Sequence, residues 1–205
     1  MLALHASLIS EQGSVTARRL KVDECKLKGS RVQILSSLES GHLDCDAGLG
    51  GFIVNKRIGI GKVGRIDSGG LVKIGSVFSK MRDLHEIPLT PNDNDLSIEN
   101  FMAKLQASND HSEGLMITAD DDINIDNMQG VVTLHTNKAA NINLHSVESA
   151  KMVINAPNAH VSLNLKSIHD LSHIYCATAE IVVGENFDSC HIFNQKEGKL
   201  FLNEN

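Results

Sequence analysis

Asp122–Asn137 reads DINIDNMQGVVTLHTN, and Asn141–Asn158 reads NINLHSVESAKMVINAPN. Both stretches follow one grammar: apolar-x-apolar, a polar turn residue, a single apolar residue, then a second apolar-x-apolar. Alternation with period two puts successive side chains on opposite faces of a strand, and Asn, Asp, Gly and Ser at the breaks mark turns rather than helix continuation. The apolar positions Ile123, Ile125, Met128, Val132 and Leu134 in the first stretch, and Ile142, Leu144, Val147, Met152 and Ile154 in the second, are the expected inward residues.

The pattern recurs along the chain. The pairs Ile123/Ile125, Ile142/Leu144, Val161/Leu163, Ile181/Val183 and Leu200/Leu202 start 19, 19, 20 and 19 residues apart. Towards the N-terminus, SLESGHLDCDA (Ser37–Ala47) aligns without a gap on SVESAKMVINA (Ser146–Ala156), and LVKIGSVFSKM (Leu71–Met81) and DLSIENFMAKLQASN (Asp95–Asn109) fit the same grammar. One such coil cannot bury its apolar pairs alone. Coils stacked at the strand spacing of about 4.8 Å can, by placing Ile on Ile and Val on Leu in a continuous column.

The expected fold class is therefore all-β: a single-stranded parallel β-solenoid, or β-helix, of about 19-residue coils, with meander sheets and sandwiches as the alternatives. Residues 1–30 read as an N-terminal cap or leading strand and residues 31–205 as the solenoid repeat domain, in one elongated unit. Residues 82–114 break the spacing and carry Pro88, Pro91 and the run PNDND, so an irregular inserted loop is expected there. Within it, Ile98, Phe101 and Leu105 also fit one face of a short helix. Solenoid ends expose unpaired strand edges and need caps; LFLNEN stops after half a coil, so a bare edge, a dimer contact or a shortened member of a longer family are the readings of that rung.

Composition agrees with an aliphatic stack and narrows the function classes. Aromatic residues are 3% of the chain, six Phe and Tyr175 with no Trp, which weighs against carbohydrate and single-stranded nucleic acid, both bound on exposed aromatic rings. The net charge of −6 and the absence of a basic run longer than Arg18–Arg19 disfavour nucleic acid. No apolar stretch approaches the roughly 20 residues that span a bilayer, so no membrane is expected. The start MLALHASLISEQ lacks the parts of a secretory signal, and a cytoplasmic location is expected, with a mitochondrial one as the alternative. Cys25, Cys45, Cys176 and Cys190 are scattered and read as free thiols.

Each motif with chemical content has a structural reading beside it. Gly59, Gly61 and Gly64 spell G-x-G-x-x-G, but no helix pattern follows, and tight coil turns are the expected role. Asp122, Asn124 and Asp126 have the opening spacing of a calcium loop, yet Asn127 stands where the turn Gly belongs and Thr133 where the bidentate Glu belongs. They are expected on the outward side of the strand holding Ile123 and Ile125. Among the ten histidines, His169 with His173 and His135 with His145 are the closest to metal spacing, without a zinc pattern, and surface positions are expected. Asp44, Asp46 and Asp120, Asp121, Asp122 are the local carboxylate concentrations that glycoside chemistry would need. No catalytic, cofactor-binding or metal residue is assigned, and no cofactor is expected.

GLVKIGSVFSK and DINIDNMQG resemble, in their style of repeat, the adhesin-type β-solenoid domain of bacteria and eukaryotes, including the animal family-with-sequence-similarity-185 proteins, over roughly Gly41–Asn203. That resemblance implies a solenoid without established catalytic residues. The function expected from these readings is a non-enzymatic scaffold or protein-interaction module, its partner an unknown protein or a second copy met through terminal coils. The alternatives are a β-helix polysaccharide hydrolase or lyase, and a self-assembling structural protein.

Overall fold

In a computed structural model, the structure describes residues 5–79, 114–166, 173–183, 191–194 and 200–204. It is an all-β solenoid. Eleven strands, β1 (His5–Ile9), β2 (Ser14–Gly29), β3 (Arg31–Ala47), β4 (Phe52–Ser68), β5 (Val72–Ser79), β6 (Gly114–Ala119), β7 (Ile123–His135), β8 (Asn141–Leu165), β9 (His173–Val183), β10 (His191–Asn194) and β11 (Leu200–Glu204), form one sheet. Every pairing between them is parallel, and there is no helix among the described residues.

Register confirms the repeat. Ile123 pairs with Ile142, Ile125 with Leu144, Met128 with Val147, Val132 with Met152 and Leu134 with Ile154, and all ten are at most 1% exposed. The ladder continues backwards through Val72, Phe52, Val32 and Val15 in the first segment of the coil. In the third segment it runs through Ile117, Ile66, Cys45 and Leu27. The gap-free alignment of Ser37–Ala47 on Ser146–Ala156 holds in space, because Leu38, Leu43, Cys45 and Ala47 occupy the ladder positions of Val147, Met152, Ile154 and Ala156. Strand β8 spans more than one coil: His160 donates its N–H to Ala140 O and Lys166 to Val147 O, laying its last residues along its first.

One register differs from the sequence reading. Val161 pairs with Ala179 and Leu163 with Ile181, so the successor of Val161/Leu163 is Ala179/Ile181 and not Ile181/Val183. Leu200 and Leu202 in turn pair with Ala179 and Ile181. The stretch Ala179-x-Ile181-x-Val183 offers two overlapping apolar-x-apolar pairs. A slip of two residues keeps the same face inward, so alternation cannot distinguish them.

The first thirty residues supply β1 and β2, which belong to the same sheet as the rest. Strand β4 pairs with β5 up to Ile60 and with β6 from Val63, so Ser79 and Gly114, the last and first described residues on either side of the interruption, stand opposite β4 positions three apart. The expected strand pair or helix at Asp95–Asn109 lies outside the described residues. Close backbone approach fixes this corner: Gly130 has φ +90°, and a Cβ there would run into the Ser79 carbonyl oxygen. Ser79 is 1% exposed and donates its hydroxyl to Val131 O at 2.6 Å.

Candidate interaction surface

With the aliphatic side chains turned in, the outward rows of the ladder carry whatever chemistry the coils offer. In the second half of the solenoid these rows are built from amides. Asn143 donates Nδ2–H to Asn124 Oδ1 at 2.8 Å, and Asp122 Oδ1 accepts from both the N–H (2.7 Å) and the Nδ2–H (3.2 Å) of Asn141. The row continues to Ser162, which pairs with Glu180 on β9. On the neighbouring register His160 Nδ1 lies 2.7 Å from Thr178 Oγ1. Asn124, Asn143 and Ser162 are half-buried, as expected for a row that packs against itself along a flat strand face.

The calcium-like spacing thus resolves into strand chemistry. Ile123 and Ile125 are fully buried, Asn124 faces outward, and the Oδ1 atoms of Asp122 and Asn124 already accept hydrogen bonds from the next coil. Among the described residues no group of three or more His, Cys, Asp or Glu could hold a metal ion. His135 belongs to the ladder of the third segment, opposite Asn155, whereas His145 follows Leu144 in the first, so the two are not brought together. His173 pairs with His191 across β9 and β10, and His169 lies outside the described residues.

The glycine motif is also relocated. Gly59 and Gly64 lie in paired segments of β4, whereas Gly61 falls at the register shift between Ile60 and Val63, the corner where β4 passes from β5 to β6. Gly64 points inward, and a Cβ there would meet Leu115 Cδ1 at 2.9 Å and Ile60 Cδ1 at 3.0 Å, so it makes room for the core. Another turn glycine is Gly51, whose φ of +81° and approach to the Leu71 carbonyl exclude any side chain. Glycine spacing in the sequence has no way to separate a turn from a close-packed strand.

The first half of the solenoid presents ion pairs instead. Lys26 meets Asp44 at 3.7 Å, Lys28 meets Asp46 at 2.8 Å, Arg65 meets Asp67 at 2.7 Å, and Glu39 receives Lys21 at 3.2 Å and Arg19 at 3.9 Å. The hydrogen bond and charge of Lys21 hold the Glu39 carboxyl below its ordinary range, and Asp46 raises the Lys28 ammonium. Asp44 and Asp46 are therefore members of charge rows along a strand, and Asp120–Asp122 form the turn before β7, where Asp121 Oδ1 accepts the Asp122 N–H at 2.8 Å. A shallow open depression of about 560 Å³ lies over His5, Glu24, Lys26, His42, Asp44 and Val63. Burial raises the thiols of Cys25 and Cys176 to about 11 and pushes Cys45 up further, which keeps all three as packing groups rather than nucleophiles.

No helix among the described residues is long and apolar enough to cross a membrane. No family model, no curated protein and no solved structure matches the chain.

Proposed function

We propose that this protein is a non-enzymatic scaffold, a protein-interaction module that acts inside the cell and displays the outward rows of its solenoid to a protein partner. The observation that carries the reading is the amide row Asn124–Asn143, held flat at 2.8 Å and continued by Ser162. Such a row presents donors and acceptors at the fixed spacing of the strands, which suits an extended or sheet-like protein surface. Among the described residues the one carboxylate whose titration is displaced, Glu39, is lowered by the hydrogen bond and charge of Lys21, as in a surface ion pair. Kinship with the adhesin-type solenoid repeats is part of the same proposal and rests on the coil grammar.

The test is site-specific photo-crosslinking in cells from position 145, exposed beside the amide row, with position 62, exposed on the first half, as the control. The proposal expects a protein adduct at 145 that disappears in Asn124→Arg, while the β-type circular dichroism is kept and the thermal midpoint falls by only a few degrees. Identical adducts from 145 and 62, or none from either, would count against it. Turnover of a polysaccharide that is abolished by Asp44→Asn would replace it with the β-helix hydrolase or lyase reading.

A further inference from the structure

The second segment of the coil, between the first and the third, carries a face that the amide row does not use. Its outward residues form two rows: Arg57 stands beside Ser76 and Ser76 beside Asn127, while Gly59 stands beside Phe78 and Phe78 beside Gln129. Gly59 leaves the β4 side of the Phe78 ring bare, since even a Cβ there would meet nothing nearer than Glu39 Cγ at 3.6 Å. The Arg57 guanidinium lies over the ring, 5.2 Å from its centroid, and Phe78 stays 42% exposed. Arg57, Ser76, Val77, Phe78, Asn127 and Gln129 together line a shallow depression of about 410 Å³. Its chemistry is one-sided. A guanidinium, a hydroxyl and two carboxamides offer N–H or O–H groups, and the lining contains no carboxylate. Glu39, in register with Gly59, is held by Lys21 and Arg19, and among the described residues no acid lies at ion-pair distance from Arg57.

We infer that this depression binds a carboxylate side chain of an extended acidic peptide segment, with Arg57 holding the carboxylate and Phe78 packing against the segment's neighbouring apolar atoms. Stacking on a ring leaves the N–H edge of a guanidinium free, and that edge matches the two oxygens of a carboxylate. Exposed Lys56 and Lys62, on either side of Arg57 in β4, add to the local positive field in a chain of net charge −6. A continuous phosphate backbone fits less well. Glu39 beside Gly59 and the exposed Asp126 next to Asn127 set negative charge at the margins, whereas a single carboxylate needs only the space between them. The site lies in the second segment, and Asn124 and Asn143 lie in the first, so this inference stands apart from the partner proposed for the amide row.

The experiment is fluorescence anisotropy of a labelled peptide that alternates glutamate with alanine, beside its glutamine counterpart and labelled oligothymidylate. The expected result is saturable, salt-sensitive binding of the glutamate peptide alone. Arg57→Gln weakens it on the order of tenfold, and Arg57→Lys, which keeps the charge without the fork, about threefold. Ser76→Glu, which sets an acid against Arg57, abolishes it. Lys28→Gln, which removes the same charge from another face, leaves it unchanged, and all four variants keep the β-type circular dichroism. Absence of saturable binding, equal losses in Arg57→Gln and Lys28→Gln, or tighter binding of oligothymidylate overturns the inference. So does a gain in binding in the Asp83→Asn, Glu86→Gln double variant, which would make the occupant the chain's own acids, a few residues beyond Phe78 in the sequence.

Discussion

Between Ser14 and Ser68 the outward ladder positions are held by Lys26–Asp44, Lys28–Asp46, Lys21–Glu39 and Arg65–Asp67 pairs. Between Asp122 and Leu165 the outward contacts are Asp122–Asn141, Asn124–Asn143 and Asn158–Asn137, with no ion pair between described residues. Inside, the two regions are interchangeable: Ile34, Val54 and Ile74 continue into Ile125 and Leu144 without a change of character, all at most 1% exposed. The inward rows answer to stacking alone, so they converge on aliphatic residues. The outward rows are under no such demand, and there the two regions differ.

The comparison is broken most severely from within. An Asp in place of Ile125, or equally of Ile74, places an unpaired charge in the shared column and should remove the β-type circular dichroism in either half, a loss of more than about 4 kcal/mol. If only one of the two variants unfolds, the halves are not one cooperative column. Next comes Gly130→Ala, at the corner where the insertion departs. Positive φ together with the Ser79 carbonyl should cost roughly 3 kcal/mol, read as a fall in the urea midpoint. A stability change under about 0.5 kcal/mol would mean the corner yields.

Smaller effects separate the surfaces. Asn143→Ala should lower stability by about 1 kcal/mol through loss of the amide row, and equally at low and high salt. Lys21→Ala should cost less than about 1 kcal/mol, and the loss should vanish in high salt. That pair also has a pH signature. Because the Glu39 carboxyl is depressed in the folded protein, its contribution is present above the ordinary value of 4.5 and lost as pH falls through the lower folded value. Lys21→Ala should therefore flatten the acid side of the stability curve while Asn143→Ala leaves its shape alone. Salt dependence in the amide variant would dissolve the contrast between the two halves.

Buried thiols give a separate probe of cooperativity. Cys25 and Cys45 sit in the first half and Cys176 near the end of the described coils, all buried. Their labelling rates under mild denaturant should rise together if the stack unfolds as one, and Cys176 should label first if the coils peel from that end.

Much of the fold was legible because a solenoid repeats one local rule. The inward residues Ile123 to Ile154 follow from alternation plus a 19-residue spacing, and the structure buries each of them. The surface was legible only as residue types. Ile181 was displaced by one pair because Ala179 is as acceptable in the column as Val183, and of the G-x-G-x-x-G in β4 only Gly61 lies at a corner, because glycine marks a turn and a crowded strand alike.

What the sequence by itself determined is the parallel stack, its aliphatic core and the interruption near residue 80, since periodicity and composition are properties of the chain alone. Only the tertiary structure decided which outward residues become neighbours. Asn124 meets Asn143, Lys28 meets Asp46, and Gly130 lies against Ser79, because a coil-to-coil register is set by bulges and corners that shift the ladder by single residues. Alternation is blind to such shifts whenever the inward face stays apolar.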